Sequence, residues 1–177
     1  MTSANKIVLF DRDGVVNIRP VGEYVTDFAD FRFCEDFLRF FAYIKSRGYL
    51  AILVSNQQCV GKGLATAEDV EGLHKNMQAE LAKRCATNFD GIFWCGDLKS
   101  ANSPRRKPNP GMLLEATEKF SAEKQKTFMI GDSMSDIEAG TRAGLRTILV
   151  GNTPITGNYK PDYIFPNLDS PALLKLF

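Results

Sequence analysis

Five short apolar runs recur along the chain, and what separates them narrows the fold to one class. The runs are IVLF (residues 7–10), YLAILV (49–54), GIFWC (91–95), TFMI (127–130) and RTILV (146–150). Apolar stretches this short suit strands covered on both faces. Between them the periodicity changes. Phe37, Phe41 and Ile44 recur at helical spacing, and Gly48 follows as a stop. Thr66, with Glu68 and Asp69 behind it, reads as a helix start, and Val70, Leu73, Met77 and Leu81 give that helix one apolar stripe. Pro110 suits the first turn of a helix running toward Phe120, and another helix is expected near residues 135–143. DYIF (162–165) and PALLKL (171–176) suggest a closing strand and helix. Strands alternating with helices predict an α/β fold: a three-layer, Rossmann-like, mostly parallel sheet with helices on both faces. A chain of 177 residues is expected to form one domain over residues 1–177.

Sheets of this kind bind ligands beyond the carboxyl ends of their strands. The loops leaving each strand are therefore the informative ones. After the first run comes DRDG, with Asp11 and Asp13 two residues apart and Gly14 free to turn the chain. Such a pair suits a hard divalent cation such as Mg²⁺, one residue giving a side-chain oxygen and the other a backbone carbonyl. After the second run comes SNQQCVGKG, where Ser55 and Asn56 offer a hydroxyl and an amide that bind a phosphate oxygen or position a turn. Lys62 sits between two glycines, but the spacing is not that of a Walker A loop. The stretch after the third run holds PRRKPNPGM, in which Arg105, Arg106 and Lys107 are cations held among prolines. Arginine grips phosphate bidentately and lysine acts as a point charge. After the fourth run comes GDSMSD, with Asp132 and Asp136 one helical turn apart. Two carboxylates so placed repel each other unless a cation or hydrogen-bond donors compensate. Asp136 also reads as a helix-capping residue. Acids, hydroxyl, lysine and acids at successive strand ends form a set suited to Mg²⁺-assisted phosphoryl transfer.

In this order DRDG, SNQ, RRKPNPG and GDSMSD resemble the four motifs of haloacid-dehalogenase-superfamily phosphatases. FDRDGVVN, EYVTDFADFRF, FDGIFWC and RKPNPGML narrow the resemblance to the branch of the heptose bisphosphate and histidinol phosphatases. The resemblance implies Asp11 as nucleophile and Asp13 as general acid/base. It implies Ser55 and Lys107 as partners of the phosphoryl group, and Arg106 as a substrate grip. Mg²⁺ is implied at Asp11, the Asp13 carbonyl and Asp132, with Asp136 alongside. Asn56, Lys62 and Arg105 are further candidates for substrate contact. The chain departs from the branch in three places. Zinc-bearing members carry two cysteine-containing pairs around this loop; here only Cys95 remains, and Ser103 and Arg105 stand where the second pair would be. Structural zinc needs four ligands, so none is expected. Ser133 stands where the family usually has lysine, and residues 58–63 replace a loop that usually carries arginine. No stretch is long enough for a large cap domain, so short loops, NIRPVGEYV (17–25) and the basic one, are expected to recognise the substrate.

The implied function is hydrolysis of a small phosphorylated sugar, with a heptose bisphosphate favoured. Histidinol phosphate, a polynucleotide 3′-end and a degenerate phosphate-binding paralogue are the alternatives. A net charge of +1 argues against a nucleic-acid or membrane partner. No apolar run approaches the ~20 residues a bilayer requires, and the N-terminus lacks a signal-peptide pattern. A cytoplasmic monomer with reduced, mostly buried thiols at Cys34, Cys59, Cys85 and Cys95 is expected. The one histidine, His74, falls in a helical pattern and reads as a helix-surface residue.

Overall fold

The computed structural model describes residues 4–20 and 22–177; of the short loop 17–25, residue 21 lies outside that range, as do residues 1–3 of the N-terminus. Six parallel strands form one sheet in the order β3-β2-β1-β4-β5-β6. They are β1 (Asn5–Phe10), β2 (Leu50–Asn56), β3 (Gly91–Cys95), β4 (Ala122–Gly131), β5 (Arg146–Val150) and β6 (Tyr163–Phe165). The helices are α1 (Glu35–Ser46), α2 (Ala67–Cys85), α3 (Gly111–Lys119), α4 (Met134–Arg142) and α5 (Pro171–Leu174). The chain winds outward from β1 to β3, then returns to the other side of β1 as β4. The β1–β4 boundary is thus where the winding reverses and where a crevice opens at the strand tips.

The apolar runs are continuous because each strand feeds two cores. Val8 and Phe10 pack with Ala51, Leu53, Phe128 and Ile130 against α1, α2 and α5. Ile7 and Leu9 pack with Ile52, Val54 and Met129 against α3 and α4. The first face is rich in phenylalanine: Phe10, Phe37, Phe41 and Phe89 meet mostly edge to face, with centroids 5.0–6.0 Å apart.

Local signals set most helix ends. The Thr66 hydroxyl accepts from Asp69 N–H at 3.1 Å, and Asp69 accepts from Thr66 N–H at 2.8 Å, closing a capping box at the start of α2. Pro110 precedes α3 rather than occupying its first turn. Strand β4 begins at Ala122, earlier than its apolar run, because Ala122 pairs with Asn5 of β1. An exposed polar strand start carries no period to read.

His74 requires a correction. It is 4% exposed, on the α2 face turned toward the sheet. Its Nε2 and Arg12 Nη1 are buried without hydrogen-bond partners among the described residues. Burial, helped by the Arg12 charge, lowers its pKa to about 3. The folded protein therefore holds His74 neutral, while the unfolded chain protonates it near pH 6.5. Stability from this group is fully present above pH 6.5 and is lost as pH falls toward 3. Wild type is expected to lose about 2 kcal/mol more than His74→Leu between pH 7 and pH 5, measured by urea denaturation. Parallel stability curves for the two proteins would contradict this. The thiols also depart in part from expectation: all four are free, but Cys34 and Cys85 are only half-buried.

Candidate active site

The tips of β1, β2 and β4 bring together residues far apart in sequence. Asp11 leaves β1, and its N–H donates to the Ile130 carbonyl of β4 at 2.9 Å. Lys107 arrives from the basic turn, with its side chain nearly closed to solvent. Its Nζ donates to Asp11 Oδ1 at 2.7 Å and to the Val54 carbonyl at 2.8 Å. It also forms an ion pair with Asp136 Oδ1 at 2.7 Å, off the hydrogen-bond direction. Asn56 fixes the lysine from behind: its Oδ1 accepts from Lys107 N–H at 3.1 Å, and its Nδ2 donates to the Lys107 carbonyl at 2.9 Å. Of the two uses expected for Asn56, positioning a turn is the one seen here.

Asp136 combines the two roles its position suggested. Its Oδ2 accepts from Ser133 N–H at 3.2 Å and Ser133 Oγ at 2.6 Å, which caps α4. Its other oxygen faces Lys107. Asp11, Asp132 and Asp136 each offer an oxygen within 4.8 Å of the others. Burial, only partly offset by Lys107, raises the Asp11 pKa to about 7, with Asp136 and Asp132 pushing the same way. Burial followed by the Asp136 charge raises Asp132 to about 6. For Lys107, burial opposes the charged form, but Asp11 and Asp136 outweigh it and hold the ammonium on. Three carboxylates against one lysine leave negative charge uncompensated, and Asp132 Oδ1 is buried without a hydrogen-bond partner among the described residues. An all-oxygen set with excess negative charge fits a hard divalent cation such as Mg²⁺. Gly14 makes room for the Asp132 carboxylate: its φ is +97°, and a Cβ there would collide with Asp132 Oδ2.

Asp13 is held differently from Asp11. Its Oδ1 accepts from Arg12 Nε at 3.2 Å, Arg12 Nη2 at 3.0 Å and Asn17 Nδ2 at 3.1 Å. Its Oδ2 accepts from Gln57 Nε2 at 3.1 Å. Burial alone would raise its pKa, but Arg12 and the other donors outweigh it and hold the carboxyl below the usual range. Two acids two residues apart are thus electrostatically unlike.

These groups line a cavity of about 340 Å³ that includes Asp11, Asp13, Asn56, Arg106, Lys107 and Asp132. Ser133, Ser135 and Asp136 close one side, and Arg19, Glu23 and Tyr24 of the short loop close another. Ser55 and Lys62 do not line it. Ser55 is buried behind it, accepting from Gln57 Nε2 at 2.7 Å. Lys62 lies over the outer Tyr24 ring, 5.1 Å from its centroid. The structure also does not bring Arg105 here. Its Nε donates to Glu115 at 2.9 Å, and it borders a larger cavity of about 820 Å³ against β3 that lacks the carboxylate set. Adjacent residues of a turn point in different directions, so Arg105 and Arg106 part company. Cys95 Sγ lies 3.3 Å from Asp97 Oδ2 and 3.9 Å from Ser103 Oγ. Sequence reasoning passed over Arg12 and Gln57, which sit inside DRDG and SNQ; Asn17 and Arg19 belong to the loop 17–25 expected to recognise the substrate, in which no single residue stood out.

A family model described as HAD-hydrolase-like matches residues 104–171. A D-glycero-beta-D-manno-heptose-1,7-bisphosphate 7-phosphatase of Helicobacter pylori is 34% identical over 85% of this chain and 85% of its own. A D-glycero-alpha-D-manno-heptose-1,7-bisphosphate 7-phosphatase of Burkholderia mallei is 36% identical over 82% of this chain and 79% of its own. Among solved structures, the fold is similar to that of D,D-heptose 1,7-bisphosphate phosphatase from B. bronchiseptica complexed with magnesium and phosphate. That likeness has a TM-score of 0.81 at 24% identity, covering 92% of this chain and 93% of the other. The fold and the relatives together define a phosphatase of the haloacid-dehalogenase superfamily. Within that superfamily, the chain belongs to the family of the heptose-1,7-bisphosphate 7-phosphatases.

Proposed function

We propose that this chain hydrolyses the 7-phosphate of D-glycero-D-manno-heptose 1,7-bisphosphate with Mg²⁺, through an aspartyl phosphate on Asp11. The observation that carries the chemistry is the Asp11 carboxylate at the tip of β1, gripped by Lys107 and within one cation's reach of Asp132 and Asp136. The named relatives support the substrate.

Asp11 attacks phosphorus, and the bond from phosphorus to the C7 oxygen breaks. Asp13 gives a proton to the departing alkoxide, then takes one from the water that cleaves the aspartyl phosphate. In the free site Asp13 is ionised; a phosphate dianion beside it favours the protonated form needed for the first step. Lys107 holds Asp11 in place and offsets charge on the phosphoryl oxygens. Mg²⁺, when held by Asp11, the Asp13 carbonyl and Asp132 beside Asp136, supplies further charge to the same oxygens. Arg19 and Arg106 line the cavity beyond these groups, which suits a second phosphate on the substrate. The short loops serve in place of a separate cap domain. Structural zinc has no part in this reading, nor does a nucleic-acid partner, and the enzyme acts as a monomer in the cytoplasm. Among the described residues, no helix is long and apolar enough to cross a membrane.

Phosphate release with Mg²⁺ from heptose 1,7-bisphosphate, histidinol phosphate and a 3′-phosphorylated oligonucleotide tests the assignment. The heptose bisphosphate is expected to give the highest kcat/KM, with a shallow response to salt. Preference for histidinol phosphate, or a steep salt loss on the oligonucleotide, would overturn the substrate. No turnover of any of them would mark a degenerate binding protein.

A further inference from the structure

Among the described residues Arg12 is the largest fully buried side chain, with no solvent exposure. A guanidinium is always charged, and burying one is costly unless its partners are well placed. Its partners are Asp13 Oδ1 and one backbone oxygen, the carbonyl of Val25, reached by Nη2 at 2.9 Å. Asn17, also fully buried, repeats the pattern on a smaller scale. Its Nδ2 donates to Asp13 Oδ1 at 3.1 Å and to the Ile18 carbonyl at 3.0 Å. Ile18 and Val25 bracket the loop whose Arg19, Glu23 and Tyr24 line the cavity. Both ends of that loop are therefore tied through one side chain each to the same carboxylate oxygen. Oδ1 of Asp13 accepts three contacts from these two side chains, whereas Oδ2 accepts one, from Gln57 Nε2, and keeps a lone pair with which to exchange a proton with a substrate.

We infer that Arg12 and Asn17 are positioning residues that lock the proton-transferring carboxylate to both ends of the substrate loop. Neither touches substrate. Their clamp makes the loop and Asp13 move as one unit, so that a sugar phosphate seated against the loop finds Asp13 Oδ2 aligned with its leaving oxygen. The inference rests on the proposed role of Asp13 and adds what aims it.

Leaving-group dependence separates this role from a merely structural one. An alkyl alkoxide needs a proton to depart, whereas p-nitrophenolate departs without one. Arg12→Lys and Asn17→Ser are expected to lower the single-turnover rate of phosphoenzyme formation at saturating heptose 1,7-bisphosphate by about 10²-fold; this step precedes the attack of water and so excludes the later base role of Asp13. With p-nitrophenyl phosphate the same rate is expected to stay within about threefold, since no general acid is required. The ratio of the two rates does not depend on how much of a variant is folded, so a destabilised protein still reports. Equal losses on both substrates would overturn the clamp. Asp13→Asn run alongside isolates the underlying reading: it should show at least the same discrimination. If Asp13→Asn discriminates and neither clamp variant does, the clamp alone fails; if Asp13→Asn does not discriminate, the role of Asp13 falls and the clamp with it.

Discussion

Asp11→Asn is expected to lower kcat by about 10⁴-fold or more while leaving the fold in place. The amide keeps the shape of the carboxyl but is a poor nucleophile toward phosphorus. Stability should change little. Burial raises the Asp11 pKa to about 7, so the free site already holds a substantial neutral fraction near neutral pH. Lys107 would keep Asp136 and the Val54 carbonyl as partners. Two measurements check this. Steady-state phosphate release gives the rate, and acid quench with labelled substrate shows whether phosphate stays on the protein. Wild type should trap label and the variant should not. A kcat within tenfold of wild type would sink the aspartyl-phosphate mechanism.

Lys107→Met should damage both stability and rate. The lysine is the one cation in contact with Asp11 and Asp136 among the described residues, and all three side chains are largely closed to water. Removing one partner of a buried pair typically costs ~3–5 kcal/mol, because the remaining charge is left uncompensated. Here about 3 kcal/mol is expected at pH 8 without Mg²⁺, at the low end, since Asp11 takes up a proton readily. The loss should also depend on pH. A carboxyl whose folded pKa is raised binds its proton more tightly in the folded state, so stability is recovered as pH falls through that raised value. Without Lys107 the Asp11 pKa moves above 7, and the deficit should shrink between pH 8 and pH 6. Mg²⁺ should raise Tm more in the variant than in wild type, because a divalent cation replaces the missing charge among the three carboxylates. On the rate, loss of a fixed positive charge at the phosphoryl group is expected to cost about 10³-fold in kcat. A variant as stable as wild type at pH 8 without Mg²⁺ would show that Lys107 does not neutralise this cluster.

Much of this site is legible in the sequence, for a local reason. A parallel strand buried on both faces is an apolar run, and the residues just after it lie at the sheet's carboxyl edge. Asp11, Asp13, Asn56 and Asp132 were legible because each comes within a few residues of the end of such a run. Lys107 and Asp136 were legible through the motif set rather than through any period. The start of β4 was not legible, because residues 123–126 are polar, all of 122–126 are half-exposed or exposed, and the stretch becomes strand through the pairing of Ala122 with β1.

The order of residues thus determined the sheet, the helices behind it and the strand tips at which the acids gather, since periodicity and turn residues are properties of neighbours in sequence. Only the tertiary structure decided which way the polar side chains turn. Arg105 goes outward to Glu115, while Lys107 goes inward to Asp11. His74 faces the sheet and stays neutral, and Arg12 lies buried between Asp13 and the Val25 carbonyl. A buried charge settles where partners from other elements can compensate it: Lys107 meets Asp11 96 residues away and the Val54 carbonyl 53 residues away, and Arg12, beside its neighbour Asp13, reaches the Val25 carbonyl 13 residues on. That compensation across distance carries no pattern along the sequence.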